Sequence, residues 1–89
     1  MSRYTVIVNR SARKAIESMP REVQRRIVNR LDELEENPRP PDMKVLKGGD
    51  GEVRIRVGDY RILYMIEDCV LTVVVIKVGN RRDVYRKVR

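Results

Sequence analysis

A chain of 89 residues holds one hydrophobic core and leaves no room for a separate cofactor-binding unit, so residues 1–89 are expected to form a single domain that binds no cofactor. Its 20 Lys and Arg against 13 Asp and Glu give a formal charge of +7, which makes a polyanion the first partner to consider. The absence of His excludes imidazole acid–base chemistry, the single Cys69 excludes a disulfide framework and fits a reducing cytoplasm, and no apolar run approaches the roughly 20 residues that span a bilayer.

Tyr4 to Val8 is β-branched and aromatic enough for a first strand. Ala12, Ala15, Ile16 and Met19 then fall at helical spacing behind Ser11, whose hydroxyl suits an N-cap. Pro20 interrupts that helix and fits the first turn of a second, in which Val23, Ile27, Leu31 and Leu34 form one stripe. The two stripes predict a helical hairpin packed on one sheet. Pro38, Pro40 and Pro41 make a connector, Val45-Leu46 a short strand, and Gly48 to Gly51 a turn. Val53, Ile55 and Val57 alternate with Arg54 and Arg56, the pattern of a strand with one apolar and one polar face. Gly58-Asp59 reads as a two-residue type II′ hairpin turn before a strand from Tyr60 to Ile66. Glu67-Asp68-Cys69 turns the chain into Val70 to Val78, a β-branched run expected to be the central strand. Gly79 to Arg82 reads as a loop, and Asp83 as the cap of a short final helix containing Val84 and Val88. The expected fold class is α+β in two layers, an antiparallel meander on a helical hairpin.

Positive charge is concentrated in the second half. Residues 1–43 carry nine basic and seven acidic side chains, whereas residues 44–89 carry eleven and six. Arg54 and Arg56 project from one strand face, Arg61 begins the next strand, and Arg81, Arg82 and Tyr85 follow the last. Guanidinium forks bind phosphate oxygens in pairs and keep their charge, so a cluster of them suits a nucleic-acid backbone. The plain alternative is a solvated sheet face at Arg54 and Arg56, a strand-edge charge at Arg61, a wet loop at Arg81-Arg82 and a core tyrosine at Tyr85.

The segments Val53-Arg54-Ile55-Arg56-Val57-Gly58-Asp59-Tyr60-Arg61-Ile62-Leu63-Tyr64 and Val78-Gly79-Asn80-Arg81-Arg82-Asp83-Val84-Tyr85, behind a strand and a helical hairpin, resemble the RelE toxins of the RelE/ParE superfamily of toxin–antitoxin systems. The resemblance covers nearly the whole chain. It implies a β-α-α fold followed by four strands, with the first strand beside the last. It also implies a ribonuclease that enters the ribosomal A site, cuts messenger RNA there, and is silenced by a cognate antitoxin in a hetero-oligomer. The family's paired basic strand positions fall on Arg54 and Arg56, its phosphate-binding arginine on Arg61, its arginine after the last strand on Arg81, and its C-terminal tyrosine on Tyr85. Members of the family can carry Lys where this chain has Arg54 and Arg56.

That difference bears on mechanism. Attack by a 2′-hydroxyl needs a base, cations for the crowded phosphate, and an acid for the departing 5′-oxygen. Arginine, with a pKa above about 12, serves the phosphate and not the base. Tyr85 among guanidiniums is the candidate proton-transfer group, with Arg81 and Arg61 completing the catalytic set. Lys44, Lys47 and Arg82 join Arg54 and Arg56 as RNA-phosphate contacts, and Glu52, Lys44 and Lys47 are weaker candidates for the base. No compact carboxylate cluster or imidazole is present to hold a metal. Two other readings stay open: a ParE-like toxin that poisons DNA gyrase, and a member that binds RNA or antitoxin without cutting. By the same resemblance the antitoxin is expected to be acidic, and to offer an amphipathic helix or strand beside the helical hairpin or at a sheet edge.

Overall fold

The computed structural model describes residues 3–46 and 51–80. The expectations placed on Lys47, Arg81, Arg82, Tyr85 and the helix after Asp83 lie outside those residues.

Strand β1 spans Thr5–Val8 and helix α1 spans Arg10–Glu17. The cap of α1 is Asn9, not Ser11. The backbone N–H of Asn9 donates to Val75 O at 3.0 Å, which keeps Asn9 extended and leaves its Oδ1 to accept from the Ala12 N–H at 2.9 Å. Ser11 instead donates its hydroxyl to the same oxygen at 3.2 Å. Helix α2 spans Arg21–Glu36, and Pro20 stands outside it as the N-cap, with an extended ψ of 146°. Gln24 ties the two helices by donating from Nε2 to the carbonyls of Met19 (2.8 Å) and Glu17 (3.3 Å). The charge order along α2 runs against its dipole. Arg21, Arg25 and Arg26 occupy the N-terminal half, Asp32, Glu33, Glu35 and Glu36 the C-terminal half, and the last turn has no basic residue. Exposed charges placed this way each cost about 0.3–1 kcal/mol within the terminal turns.

The remaining strands are β2 (Lys44–Val45), β3 (Glu52–Val57), β4 (Tyr60–Glu67) and β5 (Thr72–Asn80). Their order is β1-β5-β4-β3-β2, with β1 parallel to β5 and every other pair antiparallel. The sheet is therefore mixed, with the first strand beside the last. Its middle strand is β4 and not β5, because β1 returns to cover the outer edge of β5. Strand β5 starts two residues later than the β-branched run suggested. Asp68–Val70 forms a 3₁₀ turn and Leu71 takes a left-handed conformation (φ 47°). Asp68 anchors that turn, accepting from Tyr4 Oη at 2.6 Å and from both Arg39 nitrogens at 2.7 and 3.1 Å. At its other end β5 runs on through Gly79 and Asn80, which had read as loop. Gly58 alone has a positive φ (59°) in the β3–β4 turn, as a glycine in the first central position of a type II′ turn requires.

One face of the sheet carries the core. Val53, Ile55, Val57, Ile62, Tyr64, Val73, Val75 and Val78 pack with Ala12, Ile27, Leu31 and Leu34 of the helices. Tyr64 is fully buried there and donates its hydroxyl to Pro38 O at 2.7 Å, which locks the proline connector to the sheet. The β4–β5 ladder is interrupted once: Leu63 faces Lys77 and Tyr64 faces Val75, so Ile76 is an extra residue in a β-bulge.

Candidate functional site

The face of the sheet away from the helices is where the basic strand residues meet. Alternation along β3 sends Val53, Ile55 and Val57 to the core and Arg54 and Arg56 to the opposite side. The register then builds two adjacent rows across that side. Lys44, Arg54, Leu63 and Lys77 form the first, and Arg56, Arg61 and Gly79 the second. Directly opposed Cβ atoms in such rows lie about 5 Å apart, so the side chains of neighbouring strands share one patch. Leu63 is 1% exposed at its centre, flanked by the aliphatic stems of Arg54 and Lys77. Gly79 contributes no side chain opposite Arg61.

Three of the sequence candidates, Arg54, Arg56 and Arg61, therefore stand together. Lys44 joins them from β2, which begins one residue before the short strand expected at Val45-Leu46. Arg61 is not a strand-edge charge, since β4 is the middle strand and Arg61 is only 5% exposed. Glu52 lies on the same side, opposite Met65 and one row removed from Arg54. Lys77 was missed. The β-branched run around it read as an uninterrupted buried strand, and the bulge that turns Lys77 outward leaves no periodic trace. A lysine inside such a run, two residues before Gly79, is the only signal the sequence offers.

Glu33, Glu35, Asp42 and Asp68 are engaged away from this patch. Among the described residues the four ion pairs join Arg3 to Glu35 (2.8 Å), Arg30 to Glu33 (2.9 Å) and Asp42 (2.8 Å), and Arg39 to Asp68 (2.7 Å). Hydrogen bonds from Arg39 and then from Tyr4 hold the Asp68 carboxyl down at about 2. Tyr64, although part of the Gly-Asp-Tyr-Arg segment, serves the core. Burial pushes its phenol up to about 12, on the side of the sheet opposite Arg54, Arg56 and Arg61. Among the described residues no three His, Cys, Asp or Glu side chains converge as a metal-ligand set, and no helix is long and apolar enough to cross a membrane. A cavity of about 580 Å³ opens beside the patch, between the α1–α2 junction and the sheet end, lined by residues that include Lys14, Met19, Tyr60, Gly79 and Asn80.

Residues 6–85 match the family model described as the ParE toxin of the type II toxin-antitoxin system parDE. The chain belongs to the RelE/ParE superfamily of toxins. Toxin RelG of Mycobacterium tuberculosis is 31% identical to it over 85 residues, covering 94% of this chain and 98% of RelG. Among solved structures, the RelBE2 toxin–antitoxin complex of M. tuberculosis matches with a TM-score of 0.77 at 30% identity, over 89% of this chain and 99% of that one. The archaeal RelE–RelB complex of Pyrococcus horikoshii gives 0.78 at 30% identity, over 88% and 94%. An arginine-substituted E. coli RelE in the free state gives 0.79 at 26% identity, over 96% and 93%. The two-layer α+β fold is thus that of RelE-type toxins, and the protein is a toxin of the type II toxin–antitoxin class. Arg54 and Arg56 of β3 and Arg61 of β4 share one face of the sheet.

Proposed function

We propose that this toxin inhibits translation by cutting messenger RNA in the ribosomal A site. The observation that carries the reading is the shared outer face of Arg54, Arg56 and Arg61 around Gly79, with Lys44 and Lys77 at its sides. A scissile phosphodiester seated there meets charge that is always present and already positioned. The substrate supplies its own nucleophile. The 2′-hydroxyl gives up its proton and its oxygen bonds to phosphorus, the bond from phosphorus to the 5′-oxygen breaks, and that oxygen takes a proton. The products are a 2′,3′-cyclic phosphate and a 5′-hydroxyl. Arg54, Arg56 and Arg61 stabilise the doubly negative phosphorane, and Lys44, Lys47 and Arg82 hold flanking phosphates. Tyr85 transfers protons, and Arg81 offsets charge on the phosphate or the leaving oxygen. Because no arginine accepts a proton near neutrality, positioning by the ribosome supplies much of the acceleration. A cognate antitoxin is the expected inhibitor and hetero-oligomeric partner, in keeping with the RelB-bound state of the M. tuberculosis and P. horikoshii relatives.

The test is to map messenger RNA ends on ribosomes exposed to the wild type, Arg61→Gln and Tyr85→Phe. Cuts within the A-site codon that both substitutions abolish are expected; intact transcripts with the wild type would refute the nuclease. A second reading has one observation in its favour, the ParE description of the matching family model. Intact transcripts together with gyrase stalled on DNA would favour it.

A further inference from the structure

We infer that the N-terminal half of α2 is a second phosphate-binding surface, which takes the backbone of a double-stranded RNA through Arg21, Arg25 and Arg26. The inference extends the RNA reading of the outer sheet face and rests on it. Three observations lead to it. First, the charges of α2 are sorted along its length against the helix dipole, with Glu22 the one acid among the three arginines. Second, Glu33 and Glu35 of the C-terminal half and the neighbouring Asp42 and Asp68 are paired with Arg30, Arg3 and Arg39, whereas Arg21, Arg25 and Arg26 are exposed and make no ion pair among the described residues. Third, the two surfaces meet at the hairpin tip. The Arg26 guanidinium lies over the β3–β4 turn, with its Nη2 3.0 Å from where a Cβ on Gly58 would stand, and Arg56 lies two residues before that glycine. The helix and the sheet face thus each bring one arginine, Arg26 and Arg56, to the hairpin tip from opposite sides of the sheet, with Asp59 between them.

The chemistry of the helix points to a duplex. Single strands are usually gripped by aromatic platforms that stack on unpaired bases. This chain has no Phe or Trp, and neither helix contains a tyrosine. Exposed guanidiniums without stacking partners, Arg21 and Arg25 one turn apart and Arg26 beside the hairpin tip, instead suit the regular phosphates of an A-form helix, recognised by shape and charge.

The experiment measures binding of a 2′-O-methylated RNA duplex of about 16 base pairs, roughly the span of a shape-reading duplex module. The methyl groups block the 2′-hydroxyl attack. Titrations from about 50 to 200 mM salt compare the wild type with R25Q/R26Q and with R10Q/R13Q, which removes the same charge from a groove on α1. R25Q/R26Q is expected to weaken binding about tenfold at low salt and to lower the slope of log affinity against log salt by about two. R10Q/R13Q is expected to leave that slope nearly unchanged. Equal losses from both pairs would mean that net charge alone attracts the duplex, and an unchanged slope for R25Q/R26Q would remove the surface; either result overturns the inference. Ribosome-coupled cleavage by R54Q/R56Q tests the sheet face separately. Its failure to depend on those arginines would sink the nuclease reading while leaving the duplex titration to be judged on its own result.

Discussion

Arg56 and Arg61 stand directly opposite one another across the β3–β4 ladder. Two guanidiniums in register repel, and like-charged cross-strand pairs destabilise sheets by about 0.2–1 kcal/mol. A bound phosphate removes that penalty by sitting between them. Arg56→Thr, which removes one of the two opposed cations, should lower ribosome-coupled cleavage at least tenfold while leaving the urea midpoint at or above that of the wild type. A variant less stable than wild type with full cleavage would show the pair to be architectural.

The Tyr64 hydroxyl is buried and its partner is a backbone carbonyl of the connector. Tyr64→Phe leaves Pro38 O without that donor and should cost about 1–2 kcal/mol in denaturant unfolding. Because the folded fold holds the phenol near 12 rather than the ordinary 10, its contribution is complete below pH 10 and is lost as pH rises toward 12. The wild type should lose stability over that window more steeply than Tyr64→Phe.

At the acid end the sign reverses. Asp68 is held at about 2 by Arg39 and Tyr4, below its ordinary value of 3.8. The stability it confers is present above pH 4 and disappears as pH falls from about 4 to 2. Melting temperatures measured across that interval should fall less for Asp68→Asn than for the wild type, and equal slopes would dismiss the clamp as a contributor.

Gly58 adopts a left-handed φ, and a side chain there meets Arg26. Gly58→Ala should lower stability by about 1–2 kcal/mol from backbone strain. The companion Gly58→Ala/Arg26→Ala protein, free of the contact, should recover only part of that loss in thermal unfolding; full recovery would assign the cost to the contact rather than to the backbone.

Much of the fold was legible in the sequence because its signals are local. The stripe Ile27, Leu31 and Leu34, the alternation from Val53 to Val57 and the Gly58-Asp59 turn each specify one element through one periodicity, and the turn by itself places Arg56 against Arg61. What escaped depends on distant partners. Asn9 displaces Ser11 as the cap because Val75 holds its backbone, and Asp68 delays β5 because Tyr4 and Arg39 grip it. The place of β4 at the middle of the sheet follows from the parallel return of β1, which leaves no mark on β4 itself. For the site, Arg54, Arg56 and Arg61 were found from strand parity, whereas Lys77 needed the coordinates.

The single extra residue at Ile76 decides that parity for β5. Counting by twos from Val73 and Val75 would send residue 77 inward, yet Val78 fills the core and Lys77 and Gly79 join the arginines. Pairing a strand of this length without the bulge would exchange the two sides of its second half, driving an ammonium into the hydrocarbon interior and a valine out among the guanidiniums, whereas deleting Ile76 itself would restore plain alternation and leave Lys77 outward. The odd residue count and the offset in pairing therefore belong together: losing either alone swaps the two sides, while losing both at once leaves them in place.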